Sequence, residues 1–152
     1  MNKSTDELFE DIANMKDHDE FRATNPDKID PEKVWNELER LALQHGVDRR
    51  LMVDRANMDR SYVEHLLNGN RAINRDKLVL LSLAGKLTLE EVQTVLKHAS
   101  VAQLYPRIDR DTVIIFAFKN QQSCPELNNA LENLGHDPLH KDRESKNNKE
   151  KN

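Results

Sequence analysis

Apolar residues recur at intervals of three and four along most of this chain, the spacing of a single helix face. In residues 4–21 the positions Leu8, Phe9, Ile12, Ala13 and Met15 lie near one face, and Ser4 or Thr5 supplies a cap. Asn25-Pro26 then signals a turn. Asp30-Pro31-Glu32 opens the next helix with an Asp cap and a proline in the first turn, where its missing N–H is harmless. Val34, Trp35, Leu38, Leu41 and Ala42 come next, and Gly46 ends the run. Asp48 caps a short helix carrying Leu51, Met52 and Val53. Asn57 marks a sharp turn, because asparagine tolerates the left-handed conformation. Asp59 caps a further helix with Tyr62, Val63, Leu66 and Leu67, and Asn68-Gly69-Asn70 stops it.

The remainder is a repeat. Arg75-Asp76 and Arg110-Asp111 stand 35 residues apart, and the segments after each pair align without gaps. Leu78-Val79-Leu80-Leu81 matches Val113-Ile114-Ile115-Phe116, and Asn74 and Asp109 are equivalent caps. Thr88-Leu89-Glu90-Glu91 matches Ser123-Cys124-Pro125-Glu126, both of them capping boxes. Each unit reads as helix, loop, helix. Two such hairpins should stack, since neither buries its apolar faces alone.

The predicted fold is therefore all-α: a helix-turn-helix bundle followed by two tandem helical hairpins. Its parts are an acidic arm with a short helix (1–29), the helix-turn-helix region (30–73), the hairpins (74–139) and a Lys-, Asn- and Glu-rich tail (140–152) expected to be disordered. Sparse Gly, Pro and aromatic residues disfavour a many-turned β fold. The single cysteine, Cys124, excludes an internal disulfide and suggests a reducing compartment. No apolar run approaches membrane length and no basic–apolar leader opens the chain, so a cytoplasmic location is expected, with no membrane partner.

The net charge of −4 is unlike that of a typical nucleic-acid binder, but its distribution changes the picture. Residues 1–32 hold ten acids against four bases, whereas residues 48–77 hold seven bases against five acids. In residues 48–71 a short helix, a tight turn and a second helix come in the order that lets the second helix enter a major groove. With Val63, Leu66 and Leu67 turned inward, Arg60, Ser61, Glu64 and His65 face out and Tyr62 stands near the edge. Arg60 can read guanine or grip phosphate, Ser61 and His65 can bond base edges or phosphates, Tyr62 can read or position on DNA beside them, and Glu64 can accept from cytosine. Arg49, Arg50, Asn70 and Arg71 flank this face and suit the phosphate backbone.

Residues 48–71 resemble the lambda-repressor-like, or Xre-type, helix-turn-helix. Asn57-Met58-Asp59 falls where that family has Gly, an aliphatic residue and Ser, and Asn68-Gly69-x-Arg71 matches its Asn-Gly-x-Arg ending. Arg49 stands where the family usually has Gln. The wider layout, with Leu104-Tyr105-Pro106-Arg107 linking the repeated hairpins, is similar to a group of Xre-type proteins from Gram-positive bacteria. The resemblance implies a transcriptional regulator.

Other chemistries find little support. The six histidines form no ligand set, so no metal and no cofactor is expected, and no catalytic triad, phosphate loop or carboxylate pair points to an enzyme. Cys124, beside a helix cap, reads as a packed thiol, with a redox- or ligand-sensing repressor as a minor alternative. The expected function is sequence-specific binding of double-stranded DNA by a homodimer, with the hairpins as the dimer or partner surface. The alternative is a protein-interaction adaptor that keeps the fold without binding DNA and meets its partner through the hairpins or the acidic arm.

Overall fold

The computed structural model describes residues 4–14, 30–68 and 73–140. Among these it is all-α: α1 (Thr5–Asn14), α2 (Pro31–Gln44), α3 (Arg49–Ala56), α4 (Arg60–Leu67), α5 (Arg75–Ala84), α6 (Leu89–His98), α7 (Asp109–Lys119) and α8 (Cys124–Asn133). No described helix is long and apolar enough to cross a membrane. The chain divides into two compact units, 1–30 and 31–152. The first contributes α1, where the Ser4 hydroxyl accepts from the Glu7 backbone N–H at 3.2 Å and Phe9 and Ile12 are exposed. The predicted continuation of this helix to residue 21, the Asn25-Pro26 turn and the tail beyond His140 lie outside the described residues.

In the second unit the capping chemistry sets the helix starts. Asp48, Asp59 and Asn74 each accept from a backbone N–H three residues on, at 2.9, 3.1 and 3.1 Å. Thr88/Glu91 and Ser123/Glu126 form complete capping boxes. One expected cap is corrected. Asp109 is the first residue of α7 rather than its cap, and the capping position, Ile108, has no side-chain cap bond. The reason is local. The Ile108 N–H donates to the Tyr105 carbonyl at 3.0 Å, and the Thr112 hydroxyl donates back to the Pro106 and Ile108 carbonyls at 2.8 and 3.1 Å. The chain is already wound when it reaches Asp109.

The longer helices of this unit end alike. A residue with positive φ (Gly46, Lys86, Ser100, Gln121 or Gly135) precedes an N–H that reaches back to the helix, as Val47 does to the Ala42 carbonyl and Leu87 to that of Ser82. Val47 and Leu87 are themselves buried, so each of these two helix stops also adds an apolar side chain to the core.

One core runs from Val34 to Leu139 and joins the α2–α4 region to the hairpins without a break. α5 is its axis: residues 78–84 are all buried, and the Ser82 hydroxyl is satisfied by the Leu78 carbonyl at 2.7 Å. Its leucines and Val79 contribute on the order of 10 kcal/mol of hydrophobic stabilisation before entropy is counted. α2 packs on α4 and α6, and α3 packs on α5 and α8.

The two repeats meet through an approximate two-fold relation. Within the repeats α5 packs on α6 and α7 on α8, and between them α5 packs on α8 and α6 on α7. The hydrogen bonds repeat the exchange. Arg75 Nη2 reaches Asp111 Oδ2 at 2.9 Å, while Arg110 grips Asp76 with two bonds of 3.1 Å. Each repeat thus offers its arginine to the other's aspartate, as in an isologous interface. The equivalence extends past the helices. Arg75 also holds the Ala102 and Gln103 carbonyls, and Arg110 those of Asp137 and Pro138. Gln93 pins Leu104, and Asn128, 35 residues on, pins Leu139 and His140. Each repeat is therefore a hairpin plus a short strap, and the second strap reaches His140.

Candidate functional site

The helix pair α3–α4 is organised by its turn. Asn57 closes α3 at φ 54°, ψ 40°, with its N–H on the Asp54 carbonyl. That left-handed step ends α3 and leads the chain into α4 within three residues, and Met58 between them is fully buried. Asp59 then starts α4. Val63, Leu66 and Leu67 are buried, which fixes the rotation of the helix about its axis. Arg60, Ser61, Glu64 and His65 are left exposed together on the opposite side. Arg50, at the start of α3, is exposed as well.

Arg49 has a different situation from the one its sequence position suggests. Its Nε donates to Glu39 Oε1 of α2, and its Nη1 lies 3.9 Å from Glu64 Oε1 of α4. The hydrogen bond to Glu39 raises the guanidinium pKa above its ordinary value, outweighing partial burial. Arg49 therefore braces three helices, and Glu39 and Glu64 would compete with a phosphate for its charge. The same contact partly compensates the negative charge that Glu64 places on the outer face. Glu39 is the residue that sequence reasoning misses. It lies ten positions before Arg49 across a helix end, and opposite charge is its only signal.

Tyr62 is half-buried at the edge of the face. Its ring runs nearly parallel to that of His140, at 10° with centroids 6.4 Å apart, within the range of offset aromatic packing. His140 is held in turn by Lys77, whose ammonium donates to His140 Nδ1 and to the Leu139 carbonyl. Burial pushes the Lys77 pKa below its ordinary value, against the pull of Asp76. The strap of the second repeat thus ends against the predicted reading helix. Asn70 and Arg71 lie outside the described residues.

His45, His98 and Cys124 make contacts between elements. His45 meets Glu91 at 2.7 Å and His98 meets Glu37 at 2.9 Å, two ties between α2 and the hairpins. Cys124 is buried, its thiol directed at the Leu80 carbonyl at 3.6 Å, and burial pushes its pKa up to about 12 despite nearby Arg55. Burial and the raised pKa both disfavour the thiolate at neutral pH. Among the described residues, no three or more His, Cys, Asp or Glu side chains gather as a metal would require. Comparison with protein-family profiles, with curated proteins and with solved structures finds no match for this chain.

Proposed function

We propose that the outer face of α4 binds double-stranded DNA and reads its sequence, and that the chain acts in the cytoplasm as a transcriptional regulator. The observation that carries this reading is the left-handed Asn57 between two capped eight-residue helices, the second presenting Arg60, Ser61, Glu64 and His65 uncovered above a buried apolar underside. A helix held at a corner with a polar face free is the form that enters a major groove. The resemblance of residues 48–71 to the Xre-type motif supports the same assignment. In this reading Arg60 pairs with guanine, Ser61 and His65 meet base edges, and Arg50 anchors the backbone together with Arg71 and Asn70. One recognition helix reads few base pairs, so such a regulator works as a two-fold dimer on paired half-sites.

A specific observation favours a second reading. The engagement of Arg49 by Glu39 and Glu64 offsets the charge of one of the proposed backbone contacts, as suits an adaptor that docks a protein on this corner. Selection from a random pool of duplex DNA separates the two. Enrichment of a sequence, with two half-sites related by a dyad, supports the regulator. Failure to retain any duplex at low salt leaves the adaptor.

A further inference from the structure

The two-fold relation between the repeats makes α7 the counterpart of α5, yet their burial differs. Leu78, Leu80 and Leu81 of α5 are fully buried under α3 and its neighbours. Their counterparts on α7, Val113 and Ile115, are only partly covered, and Phe116 is 50% exposed. Ile108, just before the helix, is also 50% exposed. The side of α7 turned away from α6 and α8 is therefore an apolar stripe in a position that the first repeat keeps covered. Exposed large apolar side chains clustered in this way mark contact surfaces.

The charges along that stripe say what covers it. Asp109, Thr112, Val113, Phe116 and Lys119 recur at helical spacing on one face. The acid stands at the first residue of α7 and the base at the last, ten residues or about 15 Å apart. The Lys119 ammonium lies 5.6 Å from the centre of the Phe116 ring, at the edge of the apolar patch. Two such faces laid parallel would set acid on acid and base on base. Laid antiparallel, they set Asp109 of each against Lys119 of the other, with Val113 and Phe116 meeting between. The face is complementary to itself under a two-fold axis, which is the requirement for an isologous dimer.

We infer that the open face of α7 is a homodimer surface, on which a second copy of this chain packs its own α7 antiparallel. The inference rests on the dimeric half of the proposed function and not on DNA reading. Sedimentation of the full chain without DNA tests it. The wild-type chain should pass from monomer to dimer as concentration rises, and Phe116→Asp should remain monomeric with an unchanged far-UV circular dichroism spectrum. Asp109→Lys and Lys119→Asp should each weaken self-association about tenfold, since each removes both symmetry-related pairs. The double swap D109K/K119D should restore it, an outcome that general destabilisation would not give and that carries the test should Phe116→Asp fail to fold. A chain that stays monomeric at all concentrations overturns the inference, as does a dimer indifferent to these changes or a double swap no better than the singles. Loss of DNA binding with the α7 dimer intact would refute the DNA assignment alone.

Discussion

Removing the Asp111 carboxylate should cost about 3 kcal/mol of stability, and removing its symmetry counterpart Asp76 only about 1 kcal/mol. The two carboxylates occupy equivalent positions, each in the first turn of its helix and each bonded to the arginine of the other repeat. Any interaction with the helix dipole is common to both. They differ in burial. Asp111 is 3% exposed and accepts from Arg75 at 2.9 Å and from the Tyr105 backbone N–H at 3.0 Å. Truncation to alanine takes the carboxylate from a guanidinium only 22% exposed and from a backbone donor, and breaking a largely buried pair in this way costs about 3–5 kcal/mol. The low end applies, because Arg75 keeps the Ala102 and Gln103 carbonyls. The Asp76 side chain is 34% exposed, and water can replace its two bonds to Arg110. Urea unfolding gives both values from the fluorescence of Trp35, the sole and fully buried tryptophan. At a fixed protein concentration, Asp111→Ala should lower the midpoint by roughly 2 M and Asp76→Ala by about a third of that. Equal losses, or a larger loss for Asp76→Ala, would refute the claim that burial decides between the two halves of the exchange.

The site and its supports give three further expected outcomes. Glu39→Gln should release Arg49 to the solvent side and tighten binding to duplexes of any sequence, with a steeper salt dependence, as read by fluorescence anisotropy. Cys124 should resist alkylation at neutral pH at a rate that matches global opening, and mild denaturant should accelerate the reaction in proportion to the unfolded fraction. Burial pushes the Glu91 carboxyl upward, but hydrogen bonds from Thr88 and the pairing with His45 outweigh it and hold the group below its ordinary value of 4.5. Its contribution is therefore complete above pH 4.5 and is lost as the pH falls below that value, so Glu91→Gln should flatten the acid limb of the stability profile measured by thermal unfolding.

Local chemistry makes much of the fold legible. Asp48, Asp59, Thr88 and Ser123 can be read as caps because a cap acts within three residues of itself. Asn57 can be read as the turn because asparagine tolerates the left-handed conformation, whereas the same conformation at Lys86, Ser100 and Gln121 carries no such signal in the residue type. The repeat is visible because its two copies align over their helices. The relation between the copies is not visible: the Arg75–Asp111 and Arg110–Asp76 exchange depends on a two-fold arrangement that no single copy encodes. Asp109 looks like a cap in the sequence, but the turn at residues 105–108, and the bonds of Thr112 to its backbone, wind the chain one residue early. The exposed set on α4 is accessible from helical periodicity. The engagement of Arg49 by Glu39 and the approach of His140 to Tyr62 are not, because both contacts join separate elements, and periodicity within one helix carries no information about its neighbours.

The most direct test of the central claim is a salt titration of duplex DNA binding by the wild-type chain and by Arg60→Ala, on a selected duplex and on a scrambled one. Wild-type affinity should fall steeply and linearly on logarithmic axes for both duplexes, and the selected one should bind more tightly throughout. Arg60→Ala should lose about 1–3 kcal/mol on the selected duplex and relax its preference at one base pair, with a smaller loss on the scrambled duplex. If Arg60→Ala left both affinity and preference unchanged, or the wild-type chain bound no duplex at the lowest salt, α4 would not be a DNA-reading helix.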